Sequence, residues 1–548
     1  MVNILDLESD QVRIIQTATG GGFGSKLDLN VQGFIALALY HLKRPVRMVY
    51  SREESFLATA KRHPLEMTLK TGTDRHGKLI ATKATIICDT GAYASYGILV
   101  ASRSAVHATG PYEIEHVEIE SRCVYTTNPF SGAMRGFGTP QMAIAREGQM
   151  DLIAAKLGMD PWDIRRLNAL TKGSITSTGQ KLTASVGFSE CLDRIKPHYN
   201  QARHKWLKES NAPHLRKGIG IGGMWYGIGN TGAKNPAGAK IQLTPDGQIT
   251  LFTGAADIGQ GSSTVLPQIA AEVLGITTAL IRLVAADTRL TPNAGATSAS
   301  RQTYISGNAV KIAAQKCADA LVAEAAVHLD LPQNGLMLVD GHVADRIEPD
   351  KRIAFSRLAS GFIEKETPLV WEGRFDPDTT PLDLETGQGV PYATHAYAAQ
   401  LVLLEVDTLT GEVMVKKVVA AHDVGKAIHP ENVIGQIRGG IVMGIGLALM
   451  EEYLPQQTDS LKDYHIPTCA DIPEIVPIIV ESKEPTGPFG AKGVGEPALI
   501  PTAPAILNAL AHALGKRIYQ LPASLESVLA MSIETGNYGP KRFSNKEK

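Results

Sequence analysis

Apolar residues recur along this chain with two periods, and glycines gather where one period gives way to the other. Helical spacing runs through residues 27–42, 142–157, 161–170 and 265–274, and from the Ser/Thr-rich 293–303 on through Ala325. Shorter β-branched runs at 12–17, 46–50, 65–71 and 79–88 read as strands, the last two joined by the turn Asp74-Arg75-His76-Gly77. Farther on, 239–243 and 248–253 form a hairpin around Thr244-Pro245-Asp246-Gly247, and 399–406 pairs with 413–421. Each of these two hairpins empties into a glycine-rich loop and then a helix, which suggests two similar halves arranged about a buried ligand. The class is therefore mixed α and β. At 548 residues the chain exceeds one core, and the Ser/Thr/Gly-rich 172–179 is the best linker, dividing it into domains 1–175 and 181–548.

Glycine-dense loops at 20–26, 131–141, 254–261 and 490–497 each embed a polar side chain. The first is expected to feed the helix at 27–42, where free amides favour an anion. The last reads Gly-Ala-Lys-Gly-Val-Gly-Glu-Pro. Its glycines let backbone pass close to a ligand and Pro497 limits the swing of Glu496, the candidate acid or base. Small hydroxyl residues in 293–303 could wrap a ligand's phosphates or form an ordinary N-capping turn. Gly218, Gly220 and Gly223 have GxGxxG spacing, but Met-Trp-Tyr-Gly follows in place of an amphipathic helix, so a dinucleotide reading fails.

Fifty-four basic residues against 55 acidic ones leave a net charge of −1, which argues against nucleic acid as a partner. Cys88, Cys123, Cys191, Cys317 and Cys469 are scattered and odd in number, reading as reduced, mostly buried thiols of a cytoplasmic protein. Residues 1–13 lack a secretory pattern, and the apolar run 439–450 falls short of the ~20 residues of a membrane span. Walker, GxSxG and HExxH motifs are missing, so kinase and hydrolase chemistry has no support. Amide-rich loops with Arg135, Gln141, Gln260 and Gln436, without a Cys or His cluster, suit an organic cofactor that carries its own metal.

Gly-Gly-Phe-Gly-Ser-Lys at 21–26, Ala-Met-Arg-Gly-Phe-Gly-Thr-Pro-Gln at 133–141, Gly-Gln-Gly at 259–261 and Lys-Gly-Val-Gly-Glu-Pro at 492–497 occur in one order. Together they resemble the molybdenum-binding subunit of the xanthine dehydrogenase and aldehyde oxidase family. The resemblance implies an α+β fold of two large mixed lobes of the molybdopterin-binding type, with the cofactor buried between them. It implies a molybdenum hydroxylase that oxidises an aldehyde or N-heteroaromatic compound with water-derived oxygen, Glu496 acting as general base. Gly22, Phe23, Gly24 and Arg135 would line the molybdenum side through backbone contacts, and Gly259, Gln260 and Gly261 would accompany the cofactor. Thr297, Ser298, Ala299, Ser300, Gln302 and Gln436 would contact the pterin or its nucleotide tail.

By the same likeness Phe137 would stack on a flat substrate, Leu27 would line its site, and Arg103 would hydrogen-bond its carbonyl or carboxylate. Core packing is the competing reading for Phe137, and a solvated or paired arginine for Arg103. Implied cofactors are molybdopterin with molybdenum, in the cytosine dinucleotide form, and iron–sulfur clusters and FAD on partner subunits. Family members carry a substantial portion before the first loop, so a separate chain supplying it is a further implied partner; the alternative is a truncated remnant that folds but binds no cofactor. Leu27 stands where xanthine-oxidising members place a glutamate, and Gly229 lies nearest to their second stacking aromatic. Xanthine is therefore disfavoured. Carbon monoxide is too, because 131–138 lacks that branch's cysteine, and Arg103 tilts the choice toward an anionic substrate.

Overall fold

Three times along the chain a hairpin is followed by a helix and then by a strand parallel to the hairpin's second arm. The computed structural model describes residues 1–209 and 212–534; residues 210–211 and 535–548, within the expected second domain, lie outside the described residues. In the first unit β1 (Leu65–Thr73) and β2 (Leu79–Gly91) pair antiparallel, the helix Gly97–Val106 crosses over, and β3 (His116–Tyr125) returns parallel to β2. After β4 (Leu215–Gly227), the second unit joins β5 (Ala237–Leu243) and β6 (Ile249–Thr253) through the helix Ser262–Leu274 to β7 (Ile281–Ala285). A small sheet of β8 (Leu336–Val339), β9 (His342–Asp345) and β10 (Arg352–Ala354) intervenes, and β11 (Val370–Phe375) then adds to the free edge of β5. In the third unit β12 (His395–Asp407) and β13 (Val413–Asp423) lead through the helix Pro430–Leu449 to β14 (Glu474–Val480), with β4 on the outer side of β12. A parallel pair requires a long crossover, so each unit routes the chain off its second strand into a loop and a helix. Arg103, Gln260 and Gln436 all lie on these crossovers.

The glycines of β4 are a packing device. A Cβ at Gly218, Gly220 or Gly222 would lie 2.0, 2.2 or 2.3 Å from the carbonyl oxygens of Ala509, Ala505 and Pro501. Without side chains there, the helix Thr502–Leu514 rests directly on the strand. Asn508 Nδ2 on that helix donates to the carbonyls of Ile221 (2.8 Å) and Glu147 (3.2 Å), joining β4 to the helix Thr139–Leu157. Because Thr502–Leu514 follows the loop of Glu496 within a few residues, this contact sets where that loop ends.

Several expected elements differ. Residues 12–17 form no strand: Ile15 makes a single bridge to Asp287, whose carboxylate Arg13 binds. Residues 46–50 are not a strand either, for no neighbouring segment among the described residues offers a ladder. The helix expected at 27–42 begins at Val31, so the loop at 20–26 does not feed it; a turn from Leu27 N to Gly24 O (2.9 Å) comes between. In the stretch 172–179 Ser174, Thr176 and Thr178 are buried while Lys172, Gly173, Ile175 and Gly179 are exposed, and Gln180 Nε2 donates to Tyr392 O at 2.7 Å. Pro430–Leu449 has 20 residues, long and apolar enough to cross a membrane by length and composition, whereas the apolar run 439–450 by itself falls short of a span. Its Ile437, Ile441 and Ile445 pack in the core with Ile506 and Leu510.

Buried imidazoles, His63, His395 and His422 among them, make stability depend on acid. Burial pulls the pKa of His63 down to about 4 and those of His395 and His422 to about 3, from 6.5. The unfolded chain takes up these protons as pH falls through 6.5 and the folded chain does not, so stability is full above that value and is lost below it. A decline of up to about 1.4 kcal/mol per pH unit for each group is expected. Denaturant midpoints measured from about pH 7.5 down to about pH 5 check it; a flat profile would contradict it.

Candidate functional site

The loop 490–497 is anchored before it reaches Glu496. Lys492 Nζ binds Asp423 Oδ2 at 2.6 Å with both side chains fully buried, and lies 5.3 Å from the ring centre of Tyr397. Burial pushes the Asp423 carboxyl up, and Lys492 works against that rise. One residue on, a Cβ at Gly493 would lie 1.9 Å from Ser300 O, so no side chain fits there. The facing backbone is unusual: Ala299 and Ser300 both adopt positive φ, 50° and 53°. Two such non-glycine residues side by side are a strained arrangement that persists only where packing imposes it.

That arrangement aims Ser300 at the acid. Ser300 Oγ accepts from Glu496 N (2.9 Å) and donates to Glu496 Oε2 (3.1 Å). From the second glycine loop, Gly136 N donates to Glu496 Oε1 at 3.3 Å. Arg135 Nε donates to Gly495 O at 2.7 Å, and its Nη2 to the carbonyl and side-chain oxygens of Gln436 (3.3 and 3.1 Å). Arg135 N donates to Phe23 O (2.7 Å), which brings in the first loop. Burial pulls the pKa of Arg135 down to about 10, with Glu496 opposing the shift.

On the far side stands Arg103, 2% exposed on the helix Gly97–Val106. Its Nη2 donates to Gly229 O and its Nε to Thr231 Oγ1 (3.3 Å). Nη1 has no hydrogen-bond partner, and no carboxylate pairs with this guanidinium among the described residues. It lies 4.8 Å from the ring centre of Tyr226, 5.2 Å from that of Tyr392 and 5.7 Å from that of Phe137. Burial works against the Arg103 charge, but Tyr226, Tyr392 and Glu496 outweigh it and raise its pKa. Burial first, and then Arg103, push His107 well below its usual range. The neutral ring suits its bonds: Gly227 N donates to Nε2 (3.2 Å), leaving Nδ1 to donate to Arg103 O (2.8 Å). The cation therefore sits over neutral rings.

Phe137, half-buried with φ 53°, packs on the small cluster of Cys88, Val100 and Ala101 and also borders Arg103. Leu27 is half-buried beside the first loop, and the next residue, Asp28, accepts from Ser95 Oγ at 2.8 Å.

The third loop bonds largely to itself. Amides of Gly259, Gly261 and Ser263 donate to the Asp257 carboxylate (2.9, 3.3 and 2.9 Å), lowering its pKa against the opposing effect of burial. Gln260 Oε1 accepts from Ile258 N (2.7 Å) while its Nε2 donates to Ser262 Oγ (2.9 Å) and Ala256 O (3.1 Å). Thr297 Oγ1 donates to Ala256 O (2.6 Å), and Gln302 Nε2 donates to Thr297 Oγ1 (3.0 Å). Ser298 N donates to Ala296 O (3.1 Å), closing the same wall. Gly22 packs against Ile258, and Gly24 against the second loop at Ala133.

Sequence reasoning did not find Asp257 as the organiser of its loop, Ser300 as the partner of Glu496, or Tyr226 and Tyr392 around Arg103. An Asp two residues before Gly259 was a legible turn signal; Tyr392 carried none. Among the described residues, no group of three or more His, Cys, Asp or Glu could hold a metal ion. Amides, Gln436 and the Arg135 guanidinium form instead a donor set matched to an organic cofactor that brings its metal with it.

Models of the molybdopterin cofactor-binding domain match residues 1–169 and 194–473. The chain is 33% identical over 529 residues to the xanthine dehydrogenase molybdenum-binding subunit of Escherichia coli O157:H7, covering 94% of this chain and 69% of that one. Over 196 residues, 36% of this chain and 46% of the relative, it is 52% identical to the nicotinate dehydrogenase large molybdopterin subunit of Eubacterium barkeri. The crystal structure of aldehyde oxidoreductase from Desulfovibrio desulfuricans superposes with a TM-score of 0.87 at 31% identity, covering 96% of this chain. This chain spans 55% of that enzyme, about half its length.

Proposed function

Because the chain belongs to the molybdopterin-binding subunits of the xanthine dehydrogenase and aldehyde oxidase family, we propose that it is the catalytic core of a molybdenum hydroxylase acting on an N-heteroaromatic carboxylate. The observation that carries this reading is the meeting at Glu496 of Gly136 and Ser300, which lie 360 and 196 positions away in sequence. Arg135, Gln436, Ser300 and the loops at 22–24 and 259–261 would hold the cofactor, with Thr297, Ser298, Ala299 and Gln302 toward a cytosine dinucleotide tail. When bound, that group supplies the two-electron acceptor and an activated, water-derived oxygen.

The chain's own residues do the rest. Glu496 takes the proton of the attacking oxygen, and its carboxylate is held in place on both oxygens. Phe137 borders the flat ring, and the buried Arg103 takes the substrate carboxylate as the counter-ion it otherwise lacks. The relative named as a nicotinate dehydrogenase supports a pyridine carboxylate over an aldehyde. Iron–sulfur and FAD subunits receive the electrons. A cofactor-free remnant is not favoured, since Glu496, Arg135 and Gln436 are mutually in place. Co-expression with partner subunits should yield about one molybdenum per chain. It should also yield hydroxylation of pyridine-3-carboxylate with oxygen from labelled water. Metal-free protein, or label entering only from dioxygen, would overturn the reading.

A further inference from the structure

Tyr226 lies in β4, is 0% exposed, and its hydroxyl makes no hydrogen bond of good geometry, although the Glu496 carboxylate interacts with it. A buried phenol without a well-placed partner is costly, so the site is incomplete without a group that accepts from it. Arg103 lies 4.8 Å from its ring centre, and Tyr392, bonded through its own hydroxyl to Thr231 (2.7 Å), lies 5.2 Å from the same guanidinium. Tyr226 and Arg103 thus bring two buried donors side by side, each with a hydrogen left without a well-placed acceptor. Burial pushes the Tyr226 phenol well above its usual pKa and the Glu496 charge adds to that rise, so the proton stays on and the hydroxyl neighbours the acid.

This neighbourhood gives the two donors different tasks. A base must sit beside the carbon being attacked, and a donor beside the base therefore faces an atom next to that carbon. In an N-heteroaromatic ring, the atom on which electron density builds when an adjacent carbon is attacked is the nitrogen. Leu27 offers no polar group for it. We propose that Tyr226 donates its phenolic hydrogen bond to the ring nitrogen of the substrate, while Arg103 holds the carboxylate, making Tyr226 the residue that selects N-heteroaromatic acids over plain aromatic ones.

The inference rests on the carboxylate reading above, and its test separates the two. In the assembled, molybdenum-loaded enzyme, kcat/KM for pyridine-3-carboxylate is compared with the inhibition constant of benzoate, which has the same carboxylate but no ring nitrogen. Tyr226→Phe should lower kcat/KM about tenfold or more, the weight of one buried hydrogen bond, and leave benzoate inhibition unchanged. An unchanged kcat/KM would overturn the assignment. So would equal losses for both ligands, since the tyrosine would then only shape the cavity. If benzoate does not inhibit the wild type and the pyridine acid is not turned over, the carboxylate reading falls and this one with it. If benzoate inhibits and Tyr226→Phe has no effect, only the tyrosine role falls.

Discussion

Replacing Glu496 with glutamine is expected to lower turnover by about 10²- to 10⁴-fold, the usual weight of a positioned base, while molybdenum content stays at the wild-type level. The substitution suits the geometry. Glutamine keeps one oxygen to accept from Gly136 N, and its amide can donate to Ser300 Oγ, which already rotates between donor and acceptor roles at this residue. Lys492 and Asp423 hold the loop independently of the side chain at 496. What disappears is a lone pair able to take a proton. Initial rates together with metal analysis check this. Activity within a few-fold of wild type would remove the base assignment, and loss of the metal would make Glu496 a structural residue instead.

Glu496 was legible because its constraints are local: three glycines and a proline lie within eight residues of sequence. Arg135 and Gln436 were legible as polar side chains in glycine-rich surroundings, yet their meeting across 301 positions was not. Nothing near Ser300 signals that it would reach Glu496 rather than a cofactor, because that bond depends on the backbone at 299–300 being forced to positive φ by the approach of Gly493. The β4 glycines failed the dinucleotide test for a sound reason, but their purpose waits on a helix almost 300 positions downstream. Residues 12–17 and 46–50 show the opposite error: β-branched composition expresses fitness for a neighbouring strand, and here 12–17 gain only the short pairing of 14–16 with 286–288 while 46–50 have no paired strand among the described residues. In Pro430–Leu449 the residues Asn432, Gln436 and Arg438 confine the unbroken apolar run to 439–450 without interrupting the helix.

Replacing Arg103 with methionine should cost about 10²- to 10³-fold in kcat/KM for pyridine-3-carboxylate and far less for pyridine-3-carboxamide, because only the acid loses a buried charge-assisted bond. Folding stability should change little. The guanidinium is 2% exposed, with one nitrogen unpartnered and no ion-paired carboxylate among the described residues; a methionine of similar length removes its desolvation cost and keeps contact with Tyr226, Tyr392 and Phe137 but gives up the pull of Tyr226, Tyr392 and Glu496 on the charge, so the two effects offset. The bonds it forfeits, to Gly229 O and Thr231 Oγ1, leave acceptors that Tyr392 can partly satisfy through Thr231. Loss of specificity with retained thermal stability distinguishes a group kept for its ligand from one kept for the fold. Kinetics with the acid and amide pair, alongside thermal unfolding, read both. A variant that melts well below the wild type and loses acid and amide equally would place Arg103 in the architecture of the cavity and leave the anionic substrate without its anchor.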